Sequence, residues 1–223
     1  MDLLSEEEQW ERLKTWLRQN VPFILGLAAV LLIAWFAWGW WKGRLDQQAL
    51  QAGADYERIL AAFDAGKTDE ALKQIDTLRS EHPKSAYASA ADLAAAKVFV
   101  LQNDLDKAAQ RLERVMNEAP DKTLRPVARL RLARVLLSQG QHDKALATLG
   151  TADMGAFQSA FLETRGDVLF AKGDKPAALK DYEASLKLLP ANQQGTAGVG
   201  ELLELKINDL RTTAAAAETP AKP

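Results

Sequence analysis

The chain contains no cysteine, which excludes disulfides, thiolate zinc sites and lipidation through a thiol. Tryptophan is absent from residue 42 onward: all six stand at positions 10, 16, 35, 38, 40 and 41, and the 182 residues that follow have none. Charge is absent from Gln19 to Trp41. An excess of basic residues is lacking as well. Of 28 basic and 30 acidic residues, three and five lie in residues 1–41, leaving 25 of each in the remainder. A neutral body lacks the positive field that nucleic-acid binding requires, so no nucleic-acid partner is expected. Recognisable catalytic patterns are missing too: there is no GxSxG, HExxH or Walker loop. The glycine run at 195–200 follows no strand pattern. His82 precedes Pro83 and His142 falls in a turn, so both are expected at the solvent. Carboxylates are read as solvated helix faces and i,i+4 pairs. The chain is therefore expected not to be an enzyme, and no catalytic, cofactor-binding or metal-binding residue is assigned.

What is present first is an apolar run, VPFILGLAAVLLIAWFAWGWW, from Val21 to Trp41. As a helix, its 21 residues span about 31 Å, the thickness of a bilayer's hydrocarbon core. Trp35, Trp38, Trp40 and Trp41 crowd its C-terminal end, followed by Lys42 and Arg44, as an aromatic belt with basic anchors does. Pro22 is expected in the first turn, where a missing N–H does no harm. The run is too long for a signal peptide's apolar core and is preceded by a net acidic segment, so a membrane anchor is the reading preferred. Arg12, Lys14 and Arg18 upstream scarcely outweigh Lys42, Arg44 and Arg58 downstream, so flanking charge leaves the orientation open. Before the run, Trp10, Leu13, Trp16 and Leu17 share one helical face, which suits a helix on the membrane surface better than a partner-binding handle.

The rest of the chain is rich in Ala, Leu and long charged residues, which favour helix. It also repeats. GKTDEAL from Gly66, NDLDKAA from Asn103, GQHDKAL from Gly140 and GDKPAAL from Gly173 each place Gly or Asn five residues before an Ala, namely Ala71, Ala108, Ala145 and Ala178. The spacings are 37, 37 and 33 residues. Four residues after that Ala stand Ile75, Leu112, Leu149 and Tyr182; nine before it stand Ala62, Phe99, Leu136 and Leu169. Twelve before it are Ala96, Ala133 and Gly166, with Ile59 as the exception, and twelve after it are Pro83, Pro120 and Pro190. In the third unit the second helix is expected to stop near Gly150 instead. Gly or Asn permits the left-handed residue that ends one helix, small residues let two helices approach, and Pro stops the second. No such pair buries its face alone, so the units must stack.

These offsets resemble the tetratricopeptide repeat, most closely in the second and fourth units. An all-α chain is thus expected: a transmembrane helix, then an α-solenoid of about four helix pairs with a capping helix, ELLELKINDL, from Glu201 to Leu210. The expected segments are a tail with a juxtamembrane amphipathic helix (1–20), the transmembrane helix (21–41), the repeat domain (42–211) and a disordered tail (212–223), with a flexible connection after Pro190. That order is similar to the YfgM-like family of ancillary SecYEG translocon subunits, on RLRLARVLLSQGQHDKAL from Arg129 and LETRGDVLFAKGDKPAAL from Leu162 above all. The resemblance implies a single-pass protein of the bacterial inner membrane, N-terminus cytoplasmic and repeats periplasmic. It also implies association with the SecYEG translocon, with the membrane-anchored chaperone PpiD and with chaperones that receive exported chains. A tethered scaffold in envelope assembly, unconnected with export, is the competing expectation.

Repeat geometry projects an inner surface from each pair's first helix. Its candidates are Tyr56, Leu60 and Phe63; Leu93, Lys97 and Val100; Leu130, Arg134 and Leu137; and Glu163, Asp167 and Phe170. Apolar and charged groups in one groove suit a peptide segment or a partner helix.

Overall fold

Strong helix formers without β-branched runs give a structure that is helical throughout. The computed structural model describes residues 6–150, 155–190 and 198–218, and among these there is no strand. The elements are α1 (Glu6–Asp64), α2 (Thr68–Glu81), α3 (Ala86–Leu101), α4 (Leu105–Glu118), α5 (Leu124–Ser138), α6 (His142–Leu149), a 3₁₀ turn (Gly155–Phe157), α7 (Gln158–Lys172), α8 (Lys175–Leu188) and α9 (Val199–Glu218). The chain divides into two compact units, Met1–Gln51 and Ala52–Pro223. The first five and last five residues, and most of the expected connection after Pro190 (191–197), lie outside the described residues.

The first unit is a stretch of α1. An 18-residue window of this helix has a mean hydropathy of 2.3 and none of it is buried by protein. Apolar surface on that scale needs an apolar solvent, and a helix that satisfies its own backbone hydrogen bonds is what a bilayer accepts. The chain thus fits a membrane-anchored protein. Val21, Trp35, Trp38, Trp40 and Trp41 are all exposed. Trp38 and Trp41 lie 5.7 Å apart at their ring centroids, and the Arg44 guanidinium sits 5.2 Å over Trp40. One expectation fails: Pro22 lies inside α1, not in its first turn, because the amphipathic segment from Glu6 continues into the apolar run as one helix. A proline there leaves one carbonyl of the preceding turn without its N–H partner.

The second unit is built from the four expected pairs: the end of α1 with α2, α3 with α4, α5 with α6, and α7 with α8. The turn within each pair carries a left-handed residue at the repeated position, Gly66, Asn103, Gly140 and Gly173, with φ of 72°, 60°, 70° and 92°. The residue after each donates its N–H five positions back, to Ala62, Phe99, Leu136 and Leu169 at 2.8–2.9 Å. Those acceptors are the residues nine before the repeated Ala, so the offset marks a Schellman closure. Asp104 and Asp174 then cap α4 and α8, accepting from the N–H of Lys107 and Ala177 at 3.2 Å. The second helices stop at Glu81, Glu118 and Leu188, two residues before Pro83, Pro120 and Pro190. In the third unit α6 ends at Leu149 and Gly150 takes a φ of 61°.

Ala71, Ala108, Ala145 and Ala178 are completely buried, and Ile75, Leu112, Leu149 and Tyr182 nearly so. The position twelve before adjusts to that bulky group. Where Tyr182 fills the space Gly166 stands opposite, and a Cβ on Gly166 would meet Tyr182 Cε1 at 2.6 Å. Where leucine fills it, Ala96 and Ala133 stand there; Ile59, unexpected in size, is wholly buried. One core runs from Ala52 to Val168, and a second joins Ala178 and Tyr182 to Leu203, Ile207 and Leu210 of α9. α9 packs on α8 as the expected cap, but it continues to Glu218 instead of ending before a tail at Thr212.

Candidate peptide-binding surface

The first helices of successive pairs touch one another: α3 meets α5, α5 meets α7, and the rings of Tyr56 (α1) and Tyr87 (α3) lie 5.8 Å apart. The twelve candidate residues all fall on these helices, but they divide into three kinds. Leu93 and Leu130 are core residues, with Tyr56, Phe63 and Leu137 half-buried against the same core. Leu60 is half-buried. Lys97, Val100, Arg134 and Phe170 are exposed. Glu163 and Asp167 are engaged from within: Lys206 of α9 donates to Glu163 Oε1 at 3.0 Å and to Asp167 Oδ1 at 2.7 Å.

This last cluster closes the end of the stack. Tyr182 Oη donates to Asp167 Oδ1 at 2.8 Å, and the Lys206 ammonium lies 5.2 Å over the Tyr182 ring. Burial opposes the charge on Lys206, but its hydrogen bonds to Asp167 and Glu163 prevail and hold its pKa above the ordinary value. Burial first, then the bond to Asp167, pushes the Tyr182 phenol well above its usual range. Both groups therefore keep their protons at neutral pH.

Buried ion pairs across helices are the feature that sequence reasoning missed. Asp92 of α3 is 2% exposed and receives Arg111 at 2.8 Å, Arg114 at 3.5 Å and Arg79 at 3.8 Å, which ties α2, α3 and α4 together. Arg165 of α7 grips Asp181 of α8 with two hydrogen bonds of 2.5 and 2.7 Å, and the bond to Asp181 raises the pKa of the guanidinium. These carboxylates are not the solvated faces expected. A charged residue at an otherwise core-facing helical position was the only available signal. His82 and His142 are half-buried, not fully exposed. Asp55, Glu81 and His82 also come together, their ligand atoms within 4.8 Å, although Asp55 is already held by Arg58 at 2.7 Å.

Three of the four exposed candidates, Lys97, Val100 and Arg134, line a pocket of about 370 Å³ between the second and third pairs, and Phe170 lies outside it. Ala96, Leu112 and Val135 line it together with Val100, Leu101 and Leu105. Lys97, Arg131, Arg134 and Ser138 supply its polar lining. Arg131 was not among the expected residues; it stands one turn before Arg134 on α5. Arg134 Nε donates to the buried Thr164 Oγ1 at 3.2 Å, which orients its guanidinium. Among the described residues no carboxylate pairs with Lys97, Arg131 or Arg134.

Stacked helix pairs with Gly- or Asn-closed turns, preceded by a helix apolar enough to cross a membrane, define an anchored tetratricopeptide-like protein. A family model for a tetratricopeptide repeat-like domain matches residues 14–212, so its pattern takes in the apolar segment. The ancillary SecYEG translocon subunit of Aggregatibacter actinomycetemcomitans is 30% identical over 93% of this chain and 98% of its own. That of Escherichia coli K12 is 31% identical over 92% and 97%, and that of Neisseria gonorrhoeae 27% identical over 93% and 98%. The chain belongs to this family of ancillary SecYEG translocon subunits. Among solved structures, the tetratricopeptide-like repeats of a Podosopora anserina putative kinesin light chain match at a TM-score of 0.55 and 12% identity, covering 74% of this chain and 87% of that one. MamA from Desulfovibrio magneticus matches at 0.50 and 12%, covering 75% and 97%. At such identities the likeness concerns the fold alone.

Proposed function

We propose that the chain is a membrane-anchored adaptor of the bacterial protein-export machinery. In this reading α1 holds it in the inner membrane beside the SecYEG translocon, with the N-terminus in the cytoplasm and the repeats in the periplasm. The repeat unit then engages translocon-associated chaperones, PpiD among them, or the exported chains themselves. The observation that carries the reading is similarity over almost the full length of relatives named as translocon subunits, apolar segment and repeats together. The pocket on the first-helix surface supports it, since it offers a place for a partner's side chains. Orientation rests on the family, because charges on the two flanks nearly balance.

Gentle detergent extraction of the tagged full chain, followed by mass spectrometry of what co-purifies, tests the association. Translocon components and PpiD are expected; a single unrelated envelope complex would instead mark a tethered scaffold and reject the export role. A C-terminal fusion to a reporter active only in the periplasm tests the topology, and activity is the expected result.

A further inference from the structure

We propose that the pocket between the second and third repeats binds an extended peptide segment in which an apolar side chain is flanked by carboxylates. The proposal rests on the adaptor reading and specifies the chemistry of its partner. The apolar part follows from the walls. Val100 and Leu101 are 42% and 77% exposed, and they stand over the buried Ala96 and Leu112. At about 370 Å³ the space is at the small end for a ligand site, with room for a side chain or two and no more.

The acidic part follows from unmatched charge. Several cations that cross between helices of the repeats are spent on carboxylates: Arg111 on Asp92, Arg165 on Asp181, Lys206 on Asp167, Lys172 on Asp143. Around this pocket Lys97, Arg131 and Arg134 converge, and none is matched by a carboxylate among the described residues. In a unit whose charges balance overall, three such cations beside an apolar cavity form a local positive field. Arg134 is held ready by Thr164, so little side-chain freedom remains for binding to remove. An aliphatic segment alone would leave the cations unmatched, and an acidic one alone would leave the cavity unfilled.

The test uses the full chain in lipid nanodiscs and the fluorescence anisotropy of three labelled hexapeptides: Glu-Glu-Leu-Phe-Glu-Glu, its all-Glu counterpart and its Lys-flanked counterpart. The first is expected to bind, and the other two at least roughly tenfold more weakly. The double substitution Lys97→Glu with Arg131→Glu touches no observed ion pair; it is expected to keep the helical circular dichroism, to lose the first peptide and to gain the Lys-flanked one. Should that variant fail to fold, Arg131→Met alone is expected to weaken the first peptide and not to improve the third. Equal binding of all three peptides, or unchanged affinity in a folded charge-reversed variant, overturns the proposal. So does a wild-type chain that binds none of them while the charge-reversed variant changes its assembly mass in light scattering, which would assign the face to a second copy. A chain that co-purifies with the translocon yet binds no acidic peptide loses this inference and keeps the adaptor reading; binding without co-purification does the reverse.

Discussion

Gly166 and Tyr182 are a matched pair whose sizes make sense only together. The glycine leaves room for a ring that is itself pinned by Asp167 and by α9. Gly166→Ala places a methyl 2.6 Å from the ring, which Asp167 and α9 keep from swinging away. The expected cost is about 1–3 kcal/mol, read as a lower midpoint in chemical or thermal unfolding. Adding Tyr182→Leu recreates the Ala and Leu combination of the second and third repeats, and it should recover part of the loss despite deleting the bond to Asp167. A double-mutant cycle that is merely additive would show that the two side chains do not compete for space. The sequence carries this pairing openly, because both residues sit at fixed offsets from Ala178.

At the scale of an element, α9 is fastened on two sides: to α8 by an apolar face and the ion pair of Arg211 with Glu183, and to α7 by one ammonium. Lys206→Met should keep the first and lose the second, leaving Glu163 and Asp167 half-buried beside each other without their cation. The expected cost is roughly 1–2 kcal/mol, since hydrogen bonds to a charged group are lost while water can still reach the site. The pH dependence has a definite sign. A lysine whose folded pKa is raised contributes fully below its unfolded value of about 10.4 and loses that contribution as pH climbs through the folded value. The gap in melting temperature between wild type and Lys206→Met should therefore stay constant from neutral pH to about 10 and close above it. A gap already closing between neutral pH and about 10 would mean that the contact does not hold the lysine in its charged form. Sequence reasoning foresaw the helix and its capping role. It did not foresee that the cap would occupy Glu163 and Asp167, because those partners lie 43 and 39 residues from Lys206.

For the whole molecule, the apolar stretch of α1 and the repeat unit make separate demands on the solvent. A helix with no buried residue in its most apolar window should keep the chain in the membrane pellet through alkaline carbonate extraction. Replacing Leu31 and Leu32 with Lys inserts two charges near the middle of that run, each unfavourable by about 2.5–3.5 kcal/mol, and should shift the chain toward the soluble or aggregated fraction. Retention of that variant would argue that protein contacts, not lipid, hold the chain.

Local chemistry set down a good deal in advance. The left-handed turn residues, the small and bulky positions, the proline stops and the apolar run all act within a helix or between its immediate neighbours in the chain, so their spacing could be read directly. Tertiary structure alone decided which charges are buried and spent and which stay free. Arg111 and Arg134 look alike in the sequence; what separates them is the side chain that arrives from another helix, the Asp92 carboxylate from 19 residues away for the one and the neutral Thr164 hydroxyl from 30 residues away for the other. Pairing at that range depends on how the helices stack, because a charge is neutralised by what lies within a few ångströms of it and not by what precedes it in the chain.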